Sequence, residues 1–206
     1  AYEIASCRVG SEMCIRDSSH TCPANPAHTT SVRLALPTEA TAIAEIQQRA
    51  WADDPDLAVL TDEVSSTDAV TAWSEAIMRP PMADFRVLVA VEPDKNGEAE
   101  VRGFAAIGPS EDADAEHTDA LVAEFAVDPR HRGQGHGSRL LNAVVDTLRA
   151  DRFTRATWWV RTGDDATRRF LTEAGWGADG AHRETGTEDE QIRIKEVRLH
   201  TVIAAD

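Results

Sequence analysis

The chain has 206 residues, 42% of them hydrophobic, and a formal net charge of −15. That length and apolar content suit one domain with a core of ordinary size and are cramped for two. The acidic balance, with Lys95 and Lys195 the only lysines, produces a field that repels nucleic acid and anionic membranes and favours a cationic or amine partner. No apolar run approaches membrane-spanning length and the N-terminus lacks the apolar centre of a secretory signal, so the reading is a cytoplasmic protein.

The first eighteen residues, "AYEIASCRVGSEMCIRDS", show no sustained period and no turn logic joining them to the rest of the chain, and they resemble a translated sequencing-library adapter. Residues 19–30, polar with two prolines, read as a flexible entry segment. Residues 1–30 are therefore set apart from a domain over 31–206. Cys7, Cys14 and Cys22 all fall in this leader without histidines at zinc-ligand spacing, which argues against a disulfide framework or a metal site. Tyr2 is the only tyrosine, so the domain is expected to have none.

From residue 31 strands alternate with helices. "VRLAL" (32–36) reads as a short strand. Ile43, Ile46 and Ala50 then recur at helical spacing as far as Trp51, and a second helix is expected over about 66–79, stopped by Pro80 and Pro81. "FRVLVAVE" (85–92) and "VRGFAAIG" (101–108) flank an Asn96-Gly97 pair, a strong hairpin signal, and should pair antiparallel. The acidic stretch "PSEDADAEHTD" reads as a solvated connection. "ALVAEFAV" (120–127) is a buried strand by composition.

That strand runs through Asp128-Pro129 into "RHRGQGHGSRLL" (130–141), after which Leu140, Leu141, Val144, Val145 and Leu148 form one helical stripe. "RATWWV" (155–160) is the next strand. Asp164 can cap a helix carrying Phe170 and Leu171 that stops at Gly175-Trp176. A short strand over 177–185 and a last strand over 191–203 complete the chain, the latter with an apolar phase shift between Ile194 and Val197 that suggests a bulge.

The glycine turn at 133–137 is the densest chemical signal. A phosphate loop of the GxxxxGK[ST] kind needs a lysine, and none lies between Lys95 and Lys195. A dinucleotide fingerprint needs GxGxxG after an early strand, whereas Gly133, Gly135 and Gly137 are each two apart and position 138 is serine. Successive backbone N–H groups leading into a helix N-terminus instead suit a pyrophosphate, with Arg130 and Arg132 adding charge at the rim.

This spacing, within "AVDPRHRGQGHGSRLL", resembles the acyl-CoA motif of the GNAT superfamily of N-acetyltransferases. A second match, "DDATRRFLTEAGW" (164–176), resembles that family's later segment along the pantetheine and thiol end. The resemblance extends over about 31–203 and implies an α/β fold. Its mixed, mainly antiparallel sheet of six or seven strands, with four helices, is splayed at the cofactor strand so that acyl-CoA enters between 120–127 and 155–160. It also implies acetyl-CoA as co-substrate, with Phe125, Ala126, Val127, Arg130, Arg132, Gly133, Gln134, Gly135, His136, Gly137, Ser138, Asp164 and Phe170 around it, and no metal.

The implied reaction is direct transfer of acetyl to a primary amine of a small molecule or protein, by a monomer or homodimer. Glu124, on the cofactor strand, is the candidate general base; Glu116, His117 and Asp119 are weaker ones. Leu171 stands where the family often has tyrosine, which leaves the general acid unassigned. That departure keeps open a non-catalytic acyl-CoA sensor as the second reading. Trp51, Trp73, Trp158, Trp159 and Trp176 default to core. Adjacent Trp158 and Trp159 must face opposite sides of their strand, so one of them can wall an acceptor pocket, and Trp51, followed by Asp53, Asp54 and Asp56, is a further candidate contact.

Overall fold

A computed structural model describes residues 30–186 and 193–203 of the chain. The leader, its three cysteines and Tyr2 lie outside the described residues. Strand β1 (Ser31–Leu34) is followed by helix α1 (Ala40–Ala52), the single turn α2 (Leu60–Glu63), helix α3 (Ser66–Met78) and the strands β2 (Arg86–Pro93), β3 (Ala99–Pro109) and β4 (Asp119–Val127). Helix α4 (His136–Ala150), β5 (Arg155–Arg161), α5 (Asp165–Glu173), β6 (Gly177–Gly186) and β7 (Arg193–Val202) complete it. The element order matches the expected one, with α2 as an addition.

Local chemistry sets the boundaries. Ser65 caps α3 by accepting from the Asp68 N–H at 3.2 Å, and Asp164 caps α5 by accepting from the Thr167 N–H at 2.9 Å. Helix α5 ends as expected at Gly175-Trp176, whose N–H groups donate to Thr172 and Leu171 respectively. The β2–β3 hairpin closes around Asp94, whose carboxylate accepts from the N–H groups of Asn96 and Glu98.

The seven strands form one sheet in the order β1-β2-β3-β4-β5-β7-β6. Every pairing is antiparallel except β4 with β5, which α4 connects as a crossover. Helices α4 and α5 cover one face, burying Leu140, Val144 and Leu171 against Ile107, Val122, Trp158 and Leu199. Helices α1 and α3 cover the other, burying Ile43, Ile46 and Trp73 against Val89, Phe104 and Ala106. Each face therefore has its own apolar layer.

Two expectations are corrected. The apolar phase shift in β7 is not a bulge of that strand, which pairs without interruption to β5 from Glu196 to Val202. It is a change of face: Val197 packs in the α4 layer, while Ile194 lines a cavity on the α1 side. The irregularity lies in β6, between Ala178 and His182. The loop before β4 is likewise not merely solvated, because Asp112 and Asp114 ion-pair with the buried Arg198 at 3.1 and 2.6 Å.

A second irregularity decides what β4 presents. Ile107 of β3 pairs with Val122, but Ala106 pairs with Glu124, so Ala123 is an extra residue without a partner. Strand alternation alone would place Val122 and Glu124 on the same face. The bulge instead leaves Val122 in the α4 layer and turns Glu124 to the face of Ala106 and α1. Beyond the bulge β3 approaches closely: a Cβ on Gly103 would lie 2.8 Å from the Ala126 carbonyl oxygen. Gly103→Ala is expected to cost about 1–3 kcal/mol, read as a lowered urea midpoint; an unchanged midpoint would contradict this packing.

Candidate active site

Strands β4 and β5 pair only from Asp119–Val122 to Arg155–Trp158. From Ala123 onward the two strands separate, and the β5-facing backbone edge of Ala123–Val127 has no strand partner among the described residues. A cavity of about 860 Å³ occupies the gap. It passes between the faces of the sheet: Phe125, Gly137 and Phe170 lie at the α4 side, and Gln47, Trp51, Trp159 and Ile194 at the α1 side.

At the α4 end the chain leaves β4 through a tight turn. Gly133 and Gly135 have φ of 76° and 80°, left-handed values that side chains other than glycine rarely tolerate. Gly135 is the N-cap of α4 and offers no side-chain cap, so the first N–H groups of the helix stay directed at the turn. The turn is anchored by Asp128, a fully buried carboxylate. It accepts from the N–H of Arg130 at 3.0 Å and ion-pairs with Arg130 at 2.8 Å and with Arg49 of α1 at 2.9 Å. Burial alone would raise the Asp128 carboxyl, but the two guanidiniums and the backbone donor hold it well below the usual carboxylate range.

Most of the residues expected at the cofactor site line this cavity: Phe125, Ala126, Val127, Arg132, Gly133, Gly135, His136, Gly137, Ser138, Asp164 and Phe170. The structure departs from expectation at several others. Arg130 and Gln134 do not line it; Arg130 is folded onto Asp128. Arg132 does, but it is ion-paired to Asp53 at the end of α1. The His136 ring is buried, with its Nε2 3.9 Å from Glu92, and burial lowers its pKa, which favours the neutral imidazole.

Leu171 is fully buried in the core, off the cavity. Asp119 sits at the far end of β4 and ion-pairs with Arg155 at 3.3 Å, and Glu116 and His117 precede it, so none of these three reaches the cavity. Trp158 packs in the core against Phe125 at 4.8 Å between ring centroids, whereas Trp159 points to the α1 side and donates to Asp112 at 3.1 Å.

Glu124 stands at the α1 end of the cavity. The Gln47 Nε2–H donates to its Oε1 at 3.3 Å, while the Gln47 Oε1 accepts from the Trp73 indole N–H at 2.8 Å. Because indole can only donate, Trp73 fixes which end of the Gln47 amide faces the carboxylate. Burial pushes the Glu124 carboxyl up to about 7, against the smaller lowering effect of the Gln47 donor. A carboxyl that changes charge near neutrality is suited to exchanging a proton with a group brought beside it.

Gln47 and Arg139 are additions that the sequence reading lacked. Gln47 is a buried polar residue four positions after Ile43, inside the apolar stripe of α1, and that misfit was its signal. Arg139, one helical turn after Gly135, bends back over the glycine turn and donates to the Gln134 carbonyl at 3.4 Å.

Residues 42–176 match the model of the acetyltransferase (GNAT) family. The chain belongs to that family. A Streptomyces griseus N-acetyltransferase is 28% identical over 110 residues, which span 53% of this chain and 56% of that protein. The fold is shared with an N-acetyltransferase of Staphylococcus aureus Mu50 (17% identity, TM-score 0.66, 85% of this chain and 99% of that one). It is also shared with yncA of Salmonella typhimurium, solved with its cofactor acetyl-CoA (21% identity, TM-score 0.64, 86% and 96%). Family membership, the split sheet and the glycine turn thus coincide in one region. No helix among the described residues is long and apolar enough to cross a membrane.

The anchoring of the turn gives a test. Asp128 is held below its unfolded pKa, so its contribution to stability is full above about pH 4 and is lost as the pH falls through the native value. Asp128→Asn should cost about 3 kcal/mol at pH 7, and the difference in urea unfolding free energy should shrink below pH 4. A difference that stays constant from pH 7 to pH 3 would contradict an ionised Asp128.

Proposed function

We propose that this protein is an acetyl-CoA-dependent N-acetyltransferase that acts by direct attack of a primary amine, with Glu124 as the general base. The observation that carries the reading is the bulge at Ala123, which brings the buried Glu124 carboxyl, pushed up to about 7, to the side of the cavity opposite the glycine turn. Acetyl-CoA supplies the thioester whose carbonyl carbon the amine nitrogen attacks as the C–S bond breaks.

The chain has the parts to hold that co-substrate. The unpartnered edge of Ala123–Val127 offers main-chain groups to an extended pantetheine, as a missing strand would, and to the thioester carbonyl. The N–H groups of the glycine turn and the α4 N-terminus suit the pyrophosphate. Arg139 is a cation at that turn with no ion-paired carboxylate among the described residues, and Arg132 stands at its rim, ion-paired to Asp53.

An alkylamine is mostly an ammonium ion at neutral pH and must lose a proton before it attacks. Glu124 takes that proton, directly or through one water, and Gln47 holds the carboxylate in place. Position 171 offers no hydroxyl for the departing thiolate. The second proton that the nitrogen loses as the amide forms goes to the departing thiolate, with water and the hydroxyls of Ser138 and Thr167, at the α4 end of the cavity, as relays.

Three variants test the reading through thiol release and calorimetry. Gly135→Glu should abolish acetyl-CoA binding by placing bulk and negative charge in the turn. Glu124→Gln should leave that binding intact and lower kcat by roughly 10²–10⁴; in the unmodified enzyme kcat/KM should rise with pH through about 7, and this limb should vanish in the variant. Gln47→Leu removes a donor to the carboxylate form and should move the limb to higher pH, an outcome that a merely structural residue would not produce. Equal turnover by Glu124→Gln at every pH would sink Glu124 as the base.

A further inference from the structure

The α1 end of the cavity, where an amine must lie to reach Glu124, has walls of a definite kind. Ala50 and Trp51 of α1, Leu57 and Leu60 beyond it, Trp159 of β5 and Ile194 of β7 provide the apolar surface. Asp54 and Glu196 share this end, but neither is free. Asp54 is ion-paired to Arg161, and Glu196 to Arg183 at 2.6 Å. Arg161 also reaches Asp56 at 3.3 Å and Asp164 at 3.6 Å, and the Arg183 guanidinium covers the Trp159 ring at 4.4 Å from its centroid. The Asp54 carboxyl, which burial would raise, is held low by Arg161 and by backbone donors.

These pairings restrict the acceptor by its charge. A polyamine or a lysine-rich segment needs further carboxylates spaced beyond the reacting amine. An acceptor with its own carboxylate needs an uncommitted cation. Either would have to compete with pairs already made around Asp54 and Glu196. The remaining specificity surface is apolar, as in most small-molecule pockets. The net charge of −15 is thus a poor guide here, because Asp54 and Glu196, the carboxylates beside the apolar wall, are already held by Arg161 and Arg183.

Resting on the N-acyltransfer reading, we propose that the acceptor is a small primary amine carried on a compact apolar or aromatic body without a second charge. Its nitrogen reaches Glu124, and its body lies among Trp51, Leu57, Leu60 and Ile194.

The test compares thiol release by the full chain, saturated with acetyl-CoA, from 2-phenylethylamine, phenylalanine and spermidine. Phenylalanine carries the same ring with an added carboxylate, and spermidine carries added ammonium groups. The kcat/KM for 2-phenylethylamine should exceed both of the others by about tenfold or more. Ile194→Asp should lower it by a similar factor while leaving acetyl-CoA affinity, measured by calorimetry, unchanged.

A preference for spermidine, or equal use of phenylalanine, overturns the acceptor class and leaves acetyl transfer standing. Release from none of the three by a chain that binds acetyl-CoA also overturns it, and a wider amine panel in the same samples then shows whether transfer itself fails.

Discussion

The site depends on one extra residue in one strand. Ala123 breaks the register between β3 and β4, and in doing so it sends Glu124 through the sheet to the α1 face. At the same point β4 leaves β5. Without the bulge the carboxylate would be directed into the apolar layer beneath α4, where it has no partner and a large desolvation cost. With it, one strand faces two ways: Phe125 packs towards α5 and the glycine turn, while Glu124 meets Gln47 on α1. The two ends of the cavity are thereby set on opposite faces of one sheet, joined through the gap between its strands.

Electrostatics then hold these pieces in place more than they attract a ligand. Asp128 ties the glycine turn to α1 through Arg49, and Arg161 ties the loop after α1 to the end of β5. Arg132 reaches from the turn to Asp53. All three links join segments distant in sequence, and two of them, Arg161–Asp54 and Arg132–Asp53, stand at the cavity's rim. The acidic run after Trp51 is structural in this sense.

Much of this was legible in the sequence because its signals are local. The glycine turn, the Asp164 cap, the Gly175-Trp176 stop and the Asn96-Gly97 hairpin each depend on residues within a few positions of one another, and the structure has them where the sequence placed them. The family resemblance rested on two such segments. The bulge at Ala123 was not legible: "ALVAEFAV" reads as an uninterrupted strand, and only the register with β3 reveals the extra residue. The partners that Asp53, Asp54 and Arg132 find, and the Arg49 that meets Asp128, lie tens of residues away, so these charges looked free.

Gln47 was visible as a polar residue within an apolar stripe, yet its meaning required Trp73 and Glu124, which three separate elements bring together. Arg130 shows the reverse case. Its spacing suited a phosphate contact, but a carboxylate two residues earlier in the chain already holds it.

The most direct test of the account is calorimetric titration of the full chain with acetyl-CoA, with ATP under the same conditions as the comparison. If the gap between β4 and β5 takes an extended pantetheine while the glycine turn takes its pyrophosphate, acetyl-CoA binds one to one with a dissociation constant on the order of micromolar, and ATP does not reproduce it. An absence of binding, or ATP binding as tightly as acetyl-CoA, would mean that the split sheet is not an acyl-CoA site.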